Sequence, residues 1–324
     1  MKKRVFIFLC TGFIFTTLAA AQYTQFKYVV IPETPRPGEP VTIGINGTAR
    51  QAVLRANGRQ LARGLFFSVP AEEGEQAFMA AVITIPSTAN PGEAVIRLEN
   101  ETGVIVEIPL IIADRQFDSD VIDLNPTLTG IRTDPSPQRT AEANRLAAIL
   151  NRTGSEIYHT GNFIPPVTST RRTSLFGSRR VYRYAGGGTD TSIHAGVDYG
   201  VPTGTQVVAC GSGKVVLATM RIVTGNSVIL EHAPGIYSLY YHLDTINVQE
   251  DMIVTTGTLL GTSGSTGLAT GPHLHWEIQI NAENTDPDAF VARPIIDKDS
   301  ILTKISIYRR SYYKTVVMQE HQAF

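Results

Sequence analysis

His194-Ala195-Gly196-Val197-Asp198 and, further along the chain, His273-Leu274-His275 are the strings whose residue types could do chemistry. His194, Asp198 and His275 form a set of two imidazoles and one carboxylate, which would hold a zinc ion by three ligands and leave its fourth position free for water. That open position separates a catalytic zinc site from a structural one. Zinc held in this way lowers the pKa of bound water to roughly 7 and polarises a carbonyl oxygen, which suits hydrolysis of an unactivated amide. The tetrahedral intermediate then needs proton transfer and charge stabilisation. His273 is one candidate and His242, in Tyr240-Tyr241-His242-Leu243, is the other; either could act as base or steady the oxyanion.

These side chains need elements to aim them. Residues 272–280, Pro-His-Leu-His-Trp-Glu-Ile-Gln-Ile, alternate and are rich in β-formers, which predicts a strand. Two residues apart on a strand face the same way, so one imidazole can hold metal while the other reaches substrate. Gly261, Gly264, Gly267 and Gly271 interrupt the strand pattern just before this run, as tight turns or the close approach of a peptide backbone would require. No Gly-Lys-Ser/Thr string follows them, so a phosphate loop is excluded. His-x-x-x-Asp arises by chance and a lone His-x-His is more often structural; the combination, in this order and among these glycines, carries the metal reading.

The chain resembles the LytM/lysostaphin-type zinc peptidases of peptidase family M23. The resemblance covers residues 172–290 and rests on Ser174-Leu175-Phe176-Gly177-Ser178-Arg179-Arg180, His194 to Gly200, Gly225 to His232, Tyr241-His242-Leu243, Gly261 to Gly267, and Thr270 to Glu277. It implies that His194, Asp198 and His275 bind one Zn2+ per chain and that His242 and His273 act in catalysis. All five are present, whereas relatives that have lost ligands survive as non-hydrolytic regulators. Ala233 after His232 departs from the glycine more usual there and affects only the loop. The implied substrate is the stem or cross-bridge of bacterial peptidoglycan. The competing class is a non-enzymatic envelope factor that binds peptidoglycan or activates a wall amidase.

With 324 residues and 43% hydrophobic content, the chain can bury more than one core. Lys2, Lys3 and Arg4 before the apolar run Val5 to Phe15, then Ala19-Ala20-Ala21, predict a secretory signal over residues 1–21. The run is short for a bilayer, so no stable membrane insertion is expected after cleavage, and the periplasm or cell envelope is the expected location. The short leader favours a D-alanine to diamino-acid cross-link over a glycine bridge as substrate. Removing the leader takes the formal net charge from −1 to −4, which argues against nucleic-acid binding. Of the two cysteines, Cys10 lies in the leader, and Cys210 reads as a small core hydrophobe.

The expected fold class is mainly β: an antiparallel β catalytic domain preceded by an all-β sandwich-like domain and a short linking helix. Residues 22–115 carry short β-branched runs, such as Val41 to Ile45 and Ala81 to Ile85, separated by Pro37-Gly38, Asn57-Gly58 and Pro91-Gly92. Residues 116–158 form a linker whose helix is capped by Ser136, starts at Pro137 and offers the stripe Ala143, Leu146, Ala147 and Leu150. Residues 159–292 are the peptidase-like domain, and residues 293–324 an extension read as one or two strands over Ile301 to Val317. All catalytic motifs follow residue 172, so a fragment starting near residue 155 is expected to fold alone. His159 and His321 have no motif around them and read as surface or packing residues; His232 reads as a structural hydrogen-bonding group.

Overall fold

The computed structural model describes residues 27–70, 77–152 and 154–305. The expected leader, His321 and most of the expected extension lie outside these residues. The β-branched runs become eight strands: β1 (Tyr28–Ile31), β2 (Pro40–Ile45), β3 (Gln51–Ala56), β4 (Arg59–Leu65), β5 (Phe67–Val69), β6 (Phe78–Thr84), β7 (Gly92–Asn100) and β8 (Gly103–Ile112). They pair as two antiparallel sheets, β1-β2-β6-β5 and β4-β3-β7-β8. Val41, Ile43 and Ile83 from one sheet meet Leu54, Ile96 and Leu110 from the other, so alternate positions fill a sandwich core.

The linker holds more structure than the expected single helix. β9 (Ser119–Asp123) is followed by α1 (Pro126–Thr133), capped by Asn125, and α2 (Pro137–Leu150), where the Ser136 hydroxyl accepts from the Arg139 N–H at 3.2 Å. The α2 stripe is shifted from expectation: Leu146, Ile149 and Leu150 pack inward, whereas Ala143 and Ala147 are exposed. Larger side chains win the contact because they bury more apolar area per position.

The second unit comprises β10 (Arg172–Ser174), β11 (Arg179–Arg183), β12 (Thr189–Ile193), β13 (Val197–Tyr199), β14 (Gln206–Val208), β15 (Gly213–Arg221), β16 (Gly225–Ala233), β17 (Ile236–Ile246), β18 (Ile253–Val254), β19 (Leu259–Ser263), β20 (Leu274–Ile280), β21 (Glu283–Thr285) and α3 (Pro287–Ala292). The main antiparallel sheet runs β10-β13-β20-β17-β16-β15-β18. β9 adds in parallel to β11, which hairpins with β12, so the linker supplies a strand to the second unit. Every residue of β20 is buried because Leu274, Trp276, Ile278 and Ile280 enter the core while His275 and Glu277 face a cleft.

The two units share that core. Val29, Phe78, Ala80 and Val82, on the outer face of the first sheet, pack with residues of the second unit that include Ile280, Ile295 and Ile301. Polar contacts seal the seam: Thr42 Oγ1 donates to the Ile295 carbonyl at 3.0 Å, and Arg115 pairs with Asp286 at 2.6 Å. This explains why β2 is buried along its whole length, where a half-buried alternating strand is the usual outcome. A fragment starting near residue 155, expected to fold alone, would lose the wall of this core that Val29, Phe78, Ala80 and Val82 supply.

The expected strand at Ile301 is instead helical: residues 298–305 form a helix. The Asp297 carboxylate accepts from the Ser300 N–H at 3.0 Å, and Ile301 and Ile305, four apart, are both buried. Cap and i,i+4 burial outweigh β propensity there. Residues 306–317 of that expected strand region lie outside the described residues. Cys210 is buried, and burial pushes its thiol up to about 12, as a core hydrophobe requires. His232 is also buried, with Nδ1 at 2.7 Å from the Ser212 carbonyl and Nε2 at 2.7 Å from Ser238 Oγ. His159 stacks on Phe163 with ring centroids 5.5 Å apart. Among the described residues no helix is long and apolar enough to cross a membrane.

Candidate metal centre

Cross-strand register brings the proposed ligands together. Asp198 on β13 lies directly opposite His275 on β20, and Tyr241 on β17 lies opposite His275 from the other side. Directly opposed residues on one face are near neighbours. The Tyr241 and His275 rings stack at 5.7 Å with only 3° between planes. His194 comes from the bend between β12 and β13, where Gly196 allows the chain to pass against β20; a Cβ there would collide with the Trp276 carbonyl oxygen.

Simple alternation would send His242 to the face opposite Tyr241. A bulge prevents this: Asn226 pairs with Leu243 and Val228 with Tyr240, so Tyr241 and His242 together face Ser227. His242 has φ 60°, a left-handed conformation that a non-glycine residue seldom adopts, and its N–H donates to the Thr224 carbonyl at 2.9 Å. The result re-aims the imidazole toward His273, with ring centroids 4.8 Å apart. His273 precedes β20 and is held by a bridge to Gly264, which Asp244 crowds closely: a Cβ on Gly264 would lie 2.7 Å from the Asp244 nitrogen. Gly271, by contrast, has open space around it.

Each imidazole has one nitrogen tied down and the other bare. His194 Nδ1 donates to the Leu175 carbonyl at 2.8 Å, His242 Nδ1 to Thr266 at 2.7 Å, and His273 Nδ1 to Gly271 at 2.8 Å. His275 is reversed: its Nε2 donates to Glu277 Oε1 at 2.8 Å, which turns Nδ1 toward Asp198 Oδ1 at 2.7 Å. Carbonyl oxygens only accept, so these bonds fix the tautomers of His194, His242 and His273, whereas His275 has a carboxylate oxygen at each ring nitrogen. His194 Nε2, Asp198 Oδ1 and His275 Nδ1 then form a triangle with sides of 3.1, 2.7 and 3.0 Å. The His273 Nε2 lies 3.8 Å from the same Asp198 oxygen. The other carboxylate oxygen of Asp198 accepts from Arg180 Nη2 at 2.7 Å.

Three electron-pair donors facing one another need a cation between them. Ligands about 2.0–2.1 Å from a tetrahedral zinc lie about 3.3 Å apart, so the triangle matches one slightly contracted face of such a site. The donor set therefore fits a metal ion, and His194, Asp198 and His275 are the residues that could hold it. Burial alone would raise the Asp198 carboxyl, but the His275 charge and hydrogen bonds from both histidines hold it well below the usual carboxylate range. Burial alone would lower His275, but Asp198 and Glu277 on its two sides push it up to about 9. A proton and a metal ion are alternatives at its Nδ1. Burial lowers His194 and His273 and, with His273 and His275 nearby, takes His242 down to about 3, so these rings are neutral at pH 7.

The structure thus gathers all five residues expected from sequence. It adds Glu277, Arg180 and Tyr241. Glu277 carried a signal, since it continues the alternation of His273 and His275; Arg180 and Tyr241 reach the site only through strand pairing. Among the described residues, the cleft beside the triangle is lined by Arg132 of α1, Arg180, Tyr182, Val223, Thr224 and Leu268, with no residue of the amino-terminal sandwich.

Residues 192–287 match the model of peptidase family M23. The chain is 37% identical over 135 residues to the DD-carboxypeptidase/endopeptidase Mpg of Neisseria meningitidis serogroup B, covering 41% of this chain and 30% of that protein. It is 30% identical over 162 residues to the peptidoglycan DD-endopeptidase ShyB of Vibrio cholerae, covering 48% of this chain and 37% of that one. The chain thus spans about a third of the length of these curated relatives. A crystal structure described as a peptidase M23 from Pseudomonas aeruginosa superposes with a TM-score of 0.56 at 25% identity, covering 79% of this chain and 94% of that one. Residues 192–287 are thus similar to the peptidase domain of family M23.

Proposed function

We propose that the chain is an exported zinc endopeptidase that hydrolyses peptide stems or cross-links of bacterial peptidoglycan within the envelope. The observation that carries this reading is the convergence of three bare donor atoms from His194, Asp198 and His275, with two further neutral imidazoles, His242 and His273, beside them. A zinc ion held by the three donors would supply Lewis acidity and an acidified water. Relatives named as DD-endopeptidases support peptidoglycan as the substrate and favour a D-alanyl cross-link over a glycine bridge.

The protein's own part follows from the fixed tautomers. His242 and His273 each present a bare Nε2, so either can take the proton of the attacking water. Once protonated, the same nitrogen is a donor and can serve the oxyanion or the departing amine. Arg180 and Glu277 orient Asp198 and His275 from outside the triangle. Digestion of purified wall with the mature chain, followed by mass spectrometry of the soluble products, tests the reading. Fragments with newly exposed stem-peptide amines are expected from the wild type and none from His194→Ala. An intact wall after digestion with zinc-loaded protein would refute it.

A further inference from the structure

Building on the peptidase reading, we propose that Arg132 of α1, with Arg180 beside it, binds a free carboxylate of the substrate next to the scissile bond. The linker helix would then be one wall of the substrate cleft.

α1 buries none of its own residues, yet Arg132 in its last turn is only 15% exposed. Its guanidinium carbon lies over the buried Tyr182 ring, 3.7 Å from the centroid, and its Nη2 donates to Asp190 Oδ2 at 2.7 Å. The ring contact and the ion pair hold the guanidinium in place, and arginine recognises a carboxylate through paired N–H groups of such a held fork. Asp190 itself is 51% exposed, and an ion pair with so exposed a partner is weak and exchangeable. Arg132, Tyr182 and Arg180 line the same cleft as His194, His242 and His275. Arg180 also touches Asp198, so the cationic wall begins at the metal triangle. With a divalent ion bound, its two charges and the two guanidiniums together exceed the three carboxylates of Asp190, Asp198 and Glu277, and the cleft favours an anion.

The test uses two synthetic stem peptides ending in D-alanyl-D-alanine, one with a free carboxylate and one with a carboxamide. Cleavage is measured with the zinc-loaded mature protein, and binding is measured separately by calorimetry on His273→Ala. The wild type should prefer the free carboxylate by about tenfold or more. Arg132→Ala should erase that preference, chiefly through KM, with zinc content and melting temperature kept. Arg132→Lys should restore part of it. Asp190→Asn separates binding from scaffolding: it should keep or increase the preference, because it frees the guanidinium.

Equal handling of both peptides by the wild type would overturn the proposal. So would an unchanged preference in Arg132→Ala, or a loss in Asp190→Asn equal to that in Arg132→Ala, which would make Arg132 a brace for α1. A wild type that cuts neither peptide, yet binds the carboxylate form in an Arg132-dependent way, would support the carboxylate site, and the wall digestion then decides the endopeptidase reading separately.

Discussion

Replacing Glu277 with Gln should weaken zinc binding without disturbing the fold. Glu277 Oε1 accepts the His275 Nε2 proton at 2.8 Å, and its Oε2 accepts from Gln279 at 3.2 Å. Glutamine keeps the volume and an acceptor oxygen toward His275; its NH2 replaces the oxygen that faces Gln279, whose own amide can flip to accept, so the main change is loss of charge. A charge-assisted hydrogen bond contributes about 1.5–3 kcal/mol, against about 1 for a neutral one. The difference predicts a rise in the zinc Kd of about tenfold, within the range of about 10–100-fold for outer partners of metal-bound histidines. A second effect runs the other way. Glu277 helps to push His275 up to about 9, so at pH 7 a proton competes with metal in the wild type, and losing the carboxylate relieves that competition. The loss of affinity should therefore be largest near pH 9 and smaller at pH 7. Competition titration against a chromophoric chelator at both pH values reads this directly. Unchanged affinity at pH 9, or tighter binding at both, would refute the reasoning.

Three further outcomes are expected. His275→Ala should empty the metal site, whereas His273→Ala should keep zinc and lose about a hundredfold or more in rate; elemental analysis and single-substrate kinetics distinguish them. His232 is a base whose folded pKa of about 3 lies below its unfolded value near 6.5, so its contribution to stability is complete above about 6.5 and is lost as pH falls toward 3. By pH 5 this costs about 2 kcal/mol, and denaturant titrations at pH 7.5 and 5 should show a smaller acid loss in His232→Gln. A fragment beginning near residue 155 should melt about 10 °C or more below the mature chain, because the shared core loses Val29, Phe78 and Val82; an equal melting temperature would show the second unit to be self-sufficient.

The chemistry of this chain was legible because its donors sit in two short strings, and strand alternation alone predicts that His273 and His275 share a face. His242 was legible by type and position, but not its aim: that depends on the bulge opposite Ser227, a register event between strands. Ser136 announced its helix through cap chemistry that is local in sequence. The shared core could not be read from the runs around Val41 and Val82, since a buried strand looks the same whichever partner covers its second face. The helix at Ile301 is not legible locally, because β-branched residues argue for strand until a cap such as Asp297 and a burying surface are known. Arg132 gave no signal, for its role depends on where α1 comes to rest against β11 and β12.

On the proposed reading, one atom each of His194, Asp198 and His275 holds a single zinc ion. Diffraction from crystals of the mature protein, recorded on both sides of the zinc absorption edge, should show one strong anomalous peak per chain within bonding distance of His194 Nε2, Asp198 Oδ1 and His275 Nδ1, with His273 and His242 beyond it. No peak in zinc-supplemented crystals, or a peak bound by His273 in place of His275, would contradict the account.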